Sequence, residues 1–309
     1  MKILVTGGAG YVGSVLVPYL LSKGHKVRVL DNLVFGIAGL FSSFNDPNFD
    51  FVDGDVSNIG DYRRAVGGMN AVIHLASVVG YPACKKDERL ARLVNVDGSK
   101  IVADETYIDV PIIFASTGSV YGEIGEVCSE DTLINPLTIY GETKAIAEAS
   151  FMNRGNCVIY RFATAYGISP RLRLDLMIND FCYKAVNEKN LILYEQYFRR
   201  TFIHVTDMAK SFLFAIENIG TTMRDEIYNV GSYEMNLTKR QIADEIKLKV
   251  DYYLHCADYE KDADKRDYIV DYNKIANLGF KPTMSLHTGI LQLIQLFKVM
   301  RIKSQYSNV

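Results

Sequence analysis

A tyrosine and a lysine four residues apart, Tyr140 and Lys144 in the run Ile139-Tyr140-Gly141-Glu142-Thr143-Lys144, are the pair whose types and spacing most directly suggest chemistry. On a helix, positions i and i+4 share one face. A free phenol, with a pKa of about 10, is mostly protonated at neutral pH. A lysine one turn away stabilises the phenolate and turns it into a usable base. Oxidation of an alcohol by hydride loss needs such a base, because the hydroxyl proton must leave with the hydride. A third group should hold the reacting oxygen, and the run Phe114-Ala115-Ser116-Thr117-Gly118-Ser119-Val120-Tyr121-Gly122 offers three hydroxyls, on Ser116, Thr117 and Ser119.

An acceptor for the hydride is implied near the start of the chain. In Thr6-Gly7-Gly8-Ala9-Gly10-Tyr11-Val12-Gly13, the residues Gly7, Gly10 and Gly13 lie between a strand pattern and a helix pattern. There the missing side chains permit a tight turn, close approach of a pyrophosphate and close helix–strand packing. The helix start adds N–H groups and a partial positive charge for the phosphates. Asp31 ends the next strand pattern, where a carboxylate can accept both hydroxyls of an adenosine ribose and repels a 2′-phosphate. Asn32 and Leu33 follow, with no arginine at the site. The expected cofactor is therefore NAD, not NADP.

Positioning these groups in one cleft requires a particular scaffold. Strand-length apolar runs at residues 2–5, 26–30, 49–52, 71–75, 112–115 and 158–162 alternate with helical patterns, the first over 11–22. Alternation of this kind predicts an α/β fold, a Rossmann-like doubly wound parallel sheet with helices on both faces. Several runs are continuously apolar, as in strands covered on both sides. After Gly167 the character changes, with a basic segment at 169–173, a helix near 176–187 and a short strand at 191–194. A strand at 202–205 and a helix at 207–217 read as a return to the first domain. The expectation is a cofactor domain from residues 1–165 and 202–231, and a smaller, discontinuous α/β domain from 166–201 and 232–309 that binds the substrate. Helices are predicted at 238–250, with Thr238 as cap, and at 286–300.

Lysine plus arginine total 34 against 36 aspartate plus glutamate among 309 residues, so there is no basic excess for a nucleic acid. No apolar run approaches the ~20 residues that span a bilayer. Met1-Lys2-Ile3-Leu4-Val5 runs straight into the glycine loop without room for a signal peptide, which leads us to expect a cytoplasmic protein with no membrane partner. Five widely spaced cysteines without a Cys-x-x-Cys pair, and five histidines without ligand spacing, predict reduced thiols and no metal.

With these motifs the chain resembles the extended short-chain dehydrogenase/reductase superfamily, the NAD-dependent sugar-nucleotide epimerases and dehydratases, over essentially its whole length. The resemblance implies cofactor contacts from Tyr11, Val12 and Asn32, from Asp55 and Val56 beside the adenine, and from Leu75, Ala76, Ser77 and Asn95. It also implies that Lys144 binds the nicotinamide ribose alongside Tyr140. Matching the family's Ser/Thr-x-x-x-Tyr-Gly pattern selects Thr117 as the third catalytic residue, with Ser116 and Ser119 as alternatives; Thr117 and Ser119 would face the substrate. Arg200 matches the family's diphosphate arginine, Asn179 its amide, and Arg266 a second arginine. Gly118 and Ser119 stand where the dehydratases carry an Asp-Glu pair, which argues against dehydration, and no Cys and His pair for epimerisation next to a ketone is apparent. Ala163 stands where a UDP-galactose 4-epimerase would have Asn. The run from Arg161 to Leu176, with Phe198-Arg199-Arg200, Leu237-Thr238-Lys239-Arg240-Gln241 and Lys265-Arg266-Asp267-Tyr268, is most similar to the GDP-D-glycero-α-D-manno-heptose 4-dehydrogenases of bacterial capsule pathways. These resemblances imply C4 oxidation of a GDP-sugar, with a 4-epimerase as the alternative and a non-catalytic NAD-binding protein as a further one. They also imply a homodimer through helices near 99–108 and 140–152.

Overall fold

The computed structural model describes residues 1–122, 127–257 and 267–300. Lys2–Thr6 (β1) takes an interior place in a seven-stranded sheet because it is apolar on both faces. Ile3 and Val5 pack into one core, Leu4 into the other. On one side of β1 lie Lys26–Asp31 (β2) and Phe49–Asp53 (β3). On the other lie Ala71–His74 (β4), Ile112–Thr117 (β5), then the strands Cys157–Phe162 and Glu226–Val230. Every pairing in this sheet is parallel. The helices Gly13–Ser22 (α1) and Val205–Asn218 cover one face through Leu16, Leu20 and Phe212; Ile59–Val66, Ser99–Glu105 and Ile139–Arg154 cover the other through Tyr62, Val102 and Phe151. This is the doubly wound arrangement that the alternation of patterns predicted.

Strand order reverses between β1 and β4, and such a switch point opens a crevice beyond the carboxyl ends of the strands. The glycine loop leaves β1 there, Asp31 ends β2, residues 75–78 leave β4, and Thr117 ends β5. Sheet order thus converges segments that are far apart in sequence.

A second core gathers around Phe202, Ile242, Ile290 and Phe297. It is built on a three-stranded sheet of Asn236–Thr238, Arg199–His204 and Thr164–Tyr166, with a parallel pair Asn190–Tyr194 and Tyr253–Ala257 nearby. The strand expected at 202–205 belongs to this small sheet, whereas Glu226–Val230 edges the large one. Thr238 caps the helix Lys239–Lys247 in a full capping box with Gln241. No helix among the described residues is long and apolar enough to cross a membrane.

Candidate active site

The glycine loop is shaped by close backbone contacts. Gly7 has φ +70°, and a Cβ on it would sit 2.6 Å from the backbone nitrogen of Ala76 in the loop after β4. At Gly13 a Cβ would lie 2.4 Å from the Gly8 carbonyl oxygen, so α1 starts hard against the turn. Asp31 organises the other edge. Its Oδ2 accepts the Ala9 N–H and its Oδ1 the Leu33 N–H, each at 2.9 Å. Burial raises the Asp31 carboxyl above its ordinary value, with Asp53 and Asp55 adding to the effect and the two N–H bonds opposing it. Asp55 accepts from the Ser57 N–H (2.8 Å) and hydroxyl (2.6 Å) and from the Asn32 amide (2.8 Å). Burial works against ionisation of Asp55, but these donors leave its carboxyl below the usual range. Val56 is buried behind this edge. A tight glycine cradle at a helix start, bordered by three carboxylates, fits the phosphates and unphosphorylated ribose of NAD.

The residues expected to be catalytic are carried by, or packed against, the helix Ile139–Arg154. Its cap is Thr138, whose hydroxyl accepts the Gly141 N–H at 3.2 Å. Tyr140 is half-buried in the first turn. A Cβ on Gly141 would lie 2.7 Å from the Ser119 carbonyl oxygen, so the turn 117–119 is pressed against the helical turn bearing Tyr140. Thr117 Oγ1 accepts the Ser119 N–H and donates to Ser119 Oγ, both at 3.2 Å. Ser116 points away from them and donates to the buried Glu148, which leaves Thr117 and Ser119 as the hydroxyls of this turn beside the helix start. Lys144 is only 3% exposed, with its Nζ 4.2 Å from the centre of the Phe114 ring. Burial draws its ammonium down to about 7, Glu148 and Cys84 opposing. Behind it His74 bridges Thr6 Oγ1 (2.7 Å) and Ser99 Oγ (3.0 Å). Burial, reinforced by Lys144, lowers that ring to about 3 and keeps it neutral.

Asn95 connects the two sides from within a π-helical turn, Leu93–Gly98, a distortion common at functional sites. Its Oδ1 accepts from Ser77 Oγ (2.8 Å) and the Val78 N–H (2.7 Å), while its Nδ2 donates to the Val78 carbonyl (3.0 Å) and Thr143 Oγ1 (3.1 Å). Leu75 and Ala76 donate their N–H groups to the carbonyl and hydroxyl of Thr6. The loop after β4 is thereby fastened both to β1 and to the catalytic helix.

One anchoring group escaped the sequence reading. Arg161 and Glu148, 5% and 4% exposed at their side chains, form a buried ion pair with Nη2 to Oε2 at 2.8 Å and Nε to both oxygens at 3.2 Å. Arg161 also donates to Tyr121 Oη, which donates to Asn229 Oδ1 at 2.6 Å. Glu148 lies one turn beyond Lys144, and the continuation of the spacing 140, 144, 148 was the available signal.

On the substrate side the structure distributes the expected residues differently. Asn179 is fully buried; its Oδ1 accepts the Gly167 N–H at 2.9 Å and its Nδ2 donates to the Arg173 carbonyl at 2.8 Å. Tyr11 Oη, at the glycine loop, donates to the Gly167 carbonyl at 2.7 Å. The amide of Asn179 is thus engaged in holding the segment that meets the glycine loop. Arg200 is 3% exposed on its strand and donates to the Arg199 carbonyl at 3.1 Å. Arg266 lies outside the described residues.

Comparison with known proteins agrees with this geometry. Residues 3–231 match the model of the NAD dependent epimerase/dehydratase family. The chain is 29% identical to a putative UDP-glucose 4-epimerase of Methanocaldococcus jannaschii, covering 96% of this chain and 98% of that protein. It is 26% identical to CDP-paratose 2-epimerase of Salmonella typhi over 95% and 98% of the two chains. The solved structure of UDP-glucuronic acid 4-epimerase from Bacillus cereus with NAD superposes with a TM-score of 0.84 at 25% identity, covering 97% of this chain and 99% of that one.

Proposed function

From its membership of the NAD dependent epimerase/dehydratase family, which makes it an NAD-dependent enzyme acting on a sugar nucleotide, we propose that the chain oxidises C4 of its substrate, with GDP-D-glycero-α-D-manno-heptose as preferred substrate and a 4-keto sugar nucleotide as product. The observation that carries this reading is the turn 117–119. It presents hydroxyls to the Tyr140 end of the catalytic helix, and the positions after Thr117 that would bear an acid pair for dehydration are Gly118 and Ser119. NAD, when bound along the glycine loop with its ribose at Asp31, supplies the hydride acceptor. Tyr140 takes the hydroxyl proton. Thr117 orients the same oxygen by hydrogen bond, with Ser119 supporting it. Lys144, in its protonated form, stabilises the phenolate of Tyr140. Arg200 and Arg266 serve the substrate's diphosphate in this reading, Asn179 being occupied with Gly167 and Arg173, and the second core forms the sugar-nucleotide half of the cleft. Two copies pair through the helices Ser99–Glu105 and Ile139–Arg154, which light scattering tests: a clean monomer at working concentration removes the dimer.

A 4-epimerase, in which the hydride returns to the other face of the ketone, is the second reading; the relative from M. jannaschii favours it. One experiment separates them. The protein and stoichiometric NAD are mixed with GDP-heptose and a panel of UDP-, CDP- and dTDP-sugars while reduced-nicotinamide absorbance and product mass are followed. Lasting reduced cofactor with a product two hydrogens lighter supports the dehydrogenase; an isomer of unchanged mass without lasting absorbance replaces it with the epimerase. Tyr140→Phe should lower turnover by about 10²–10⁴-fold with NAD affinity retained, and unaltered turnover would remove Tyr140 from the chemistry.

A further inference from the structure

The segment 166–175, between the strand Thr164–Tyr166 and the helix Met177–Tyr183, lies across the glycine loop. Four contacts fasten it there. Tyr11 Oη donates to the Gly167 carbonyl at 2.7 Å, and Ser169 Oγ donates to the Tyr11 carbonyl at 2.7 Å. Ser169 Oγ lies 3.0 Å from Ser14 Oγ, and the Arg171 N–H donates to Ser14 Oγ at 3.4 Å. Ser14 directly follows Gly13 in the first turn of α1 and itself donates to the Gly10 carbonyl at 2.7 Å. The backbone of Arg171 is therefore held at the helix start that receives phosphates. Its guanidinium donates to the Leu172 carbonyl at 3.0 Å, and Cζ stands 4.0 Å over the ring of Phe35 in the loop that follows Asp31. Ser169 and Arg171 are 4% and 6% exposed, while Phe35 is 48% exposed.

A dinucleotide whose diphosphate rests on the glycine loop and whose adenosine ribose is held by Asp31 runs along this edge, where Arg171 meets the helix start through its backbone and the loop after Asp31 through its guanidinium. We propose that the segment 166–175 is a clasp on the cofactor site and that Arg171 binds the diphosphate of NAD. A planar guanidinium suits this task, since it offers paired donors to phosphate oxygens and can stack on an aromatic ring at the same time. Burial, with the like charge of Arg173 adding to it, draws the Arg171 guanidinium down to about 10, so a dianion alongside stabilises its cationic form. The clasp also gives the Asn179 hydrogen bonds a consequence, because Asn179 holds Gly167 and Arg173 at the two ends of the segment.

The proposal rests on the NAD dependence of the family and not on the C4 reading, so its test uses no turnover. Protein stripped of cofactor is titrated calorimetrically with NAD, with adenosine and with GDP-mannose as a sugar-nucleotide probe, for wild type, Arg171→Lys and Arg171→Gln. A lost charge-assisted hydrogen bond predicts NAD affinity about 10–100-fold weaker in Arg171→Gln, a smaller loss in Arg171→Lys, and adenosine and GDP-mannose affinities unchanged. Equal losses for NAD and adenosine would mean a disturbed fold and overturn the proposal. Weakened GDP-mannose with unaltered NAD would assign the guanidinium to the substrate's diphosphate instead, and unaltered affinities throughout would also refute it. Arg171→Lys keeps the charge and guards against a variant that fails to fold.

Discussion

The catalytic helix and the 166–179 segment both deliver side chains to one cleft, yet they are anchored by opposite chemistry. The helix Ile139–Arg154 is held from behind by charge: Glu148 and Arg161 pair in the core, and Lys144 is desolvated one turn away. The 166–179 segment is held by neutral hydrogen bonds among Tyr11, Ser14, Gly167, Ser169 and Asn179. A charged anchor communicates through space, so Glu148 helps to set how readily Lys144 keeps its proton, and hence, in the proposed function, how well Tyr140 works as a base. Neutral anchors act over hydrogen-bond distance only. They position, but they do not tune.

The largest test of this contrast is Glu148→Ala. It leaves the Arg161 guanidinium buried without its carboxylate, a change that costs about 3–5 kcal/mol. The midpoint of denaturant unfolding should fall accordingly, and a loss below about 1 kcal/mol would mean that charge does not hold the helix. Asn179→Ala probes the neutral anchor. It orphans the buried Gly167 N–H and Arg173 carbonyl, at about 1–3 kcal/mol, and the loss should be the same at pH 6 and pH 8, because no group in that network titrates between them. A pH-dependent loss would blur the distinction.

The effect that is sharpest in form belongs to Lys144→Met in cofactor-free protein. Lys144 titrates near 7 when folded against 10.5 as a free side chain, so between those values the unfolded chain binds the extra proton and stability rises with pH. The destabilisation by buried Lys144 is complete below pH 7 and gone above pH 10.5. Relative to wild type, the variant should therefore be most favoured at pH 7 and below, the gap closing by about 1 kcal/mol per pH unit above it. A gap that is constant with pH would show that Lys144 is not desolvated.

Much of the scaffold is legible in the sequence. Runs at 2–5, 71–75 and 112–115, apolar but for Lys2 and His74, mark buried parallel strands, because a strand covered on both faces cannot alternate. Two of the observed strands extend those runs by a residue or two, to Thr6 in β1 and Thr117 in β5, while β4 ends a residue earlier, at His74. The glycine spacing was legible for a similar reason: a backbone bend that tolerates no Cβ admits one residue type. Membership of the seventh strand was not legible, since Glu226–Val230 and Arg199–His204 have comparable patterns and only their partners distinguish them. Nor was the role of Asn179 within the protein, because a polar residue on a helix gives no sign of whether its amide faces solvent, substrate or a carbonyl.

The sequence by itself determined the glycine turn and the helical spacing of Tyr140 and Lys144, because each is local: a few residues of fixed type, joined by one turn of helix or one strand end, set the spacing. Tertiary structure alone decided which hydroxyl of 116–119 turns inward to Glu148, how Arg161 neutralises that carboxylate, and that Arg171 crosses to the glycine loop some 160 positions away in sequence. These contacts depend on charges and hydrogen bonds meeting across separate elements. Their energies arise from burial, and burial is a property of the packed chain, not of any short stretch of it.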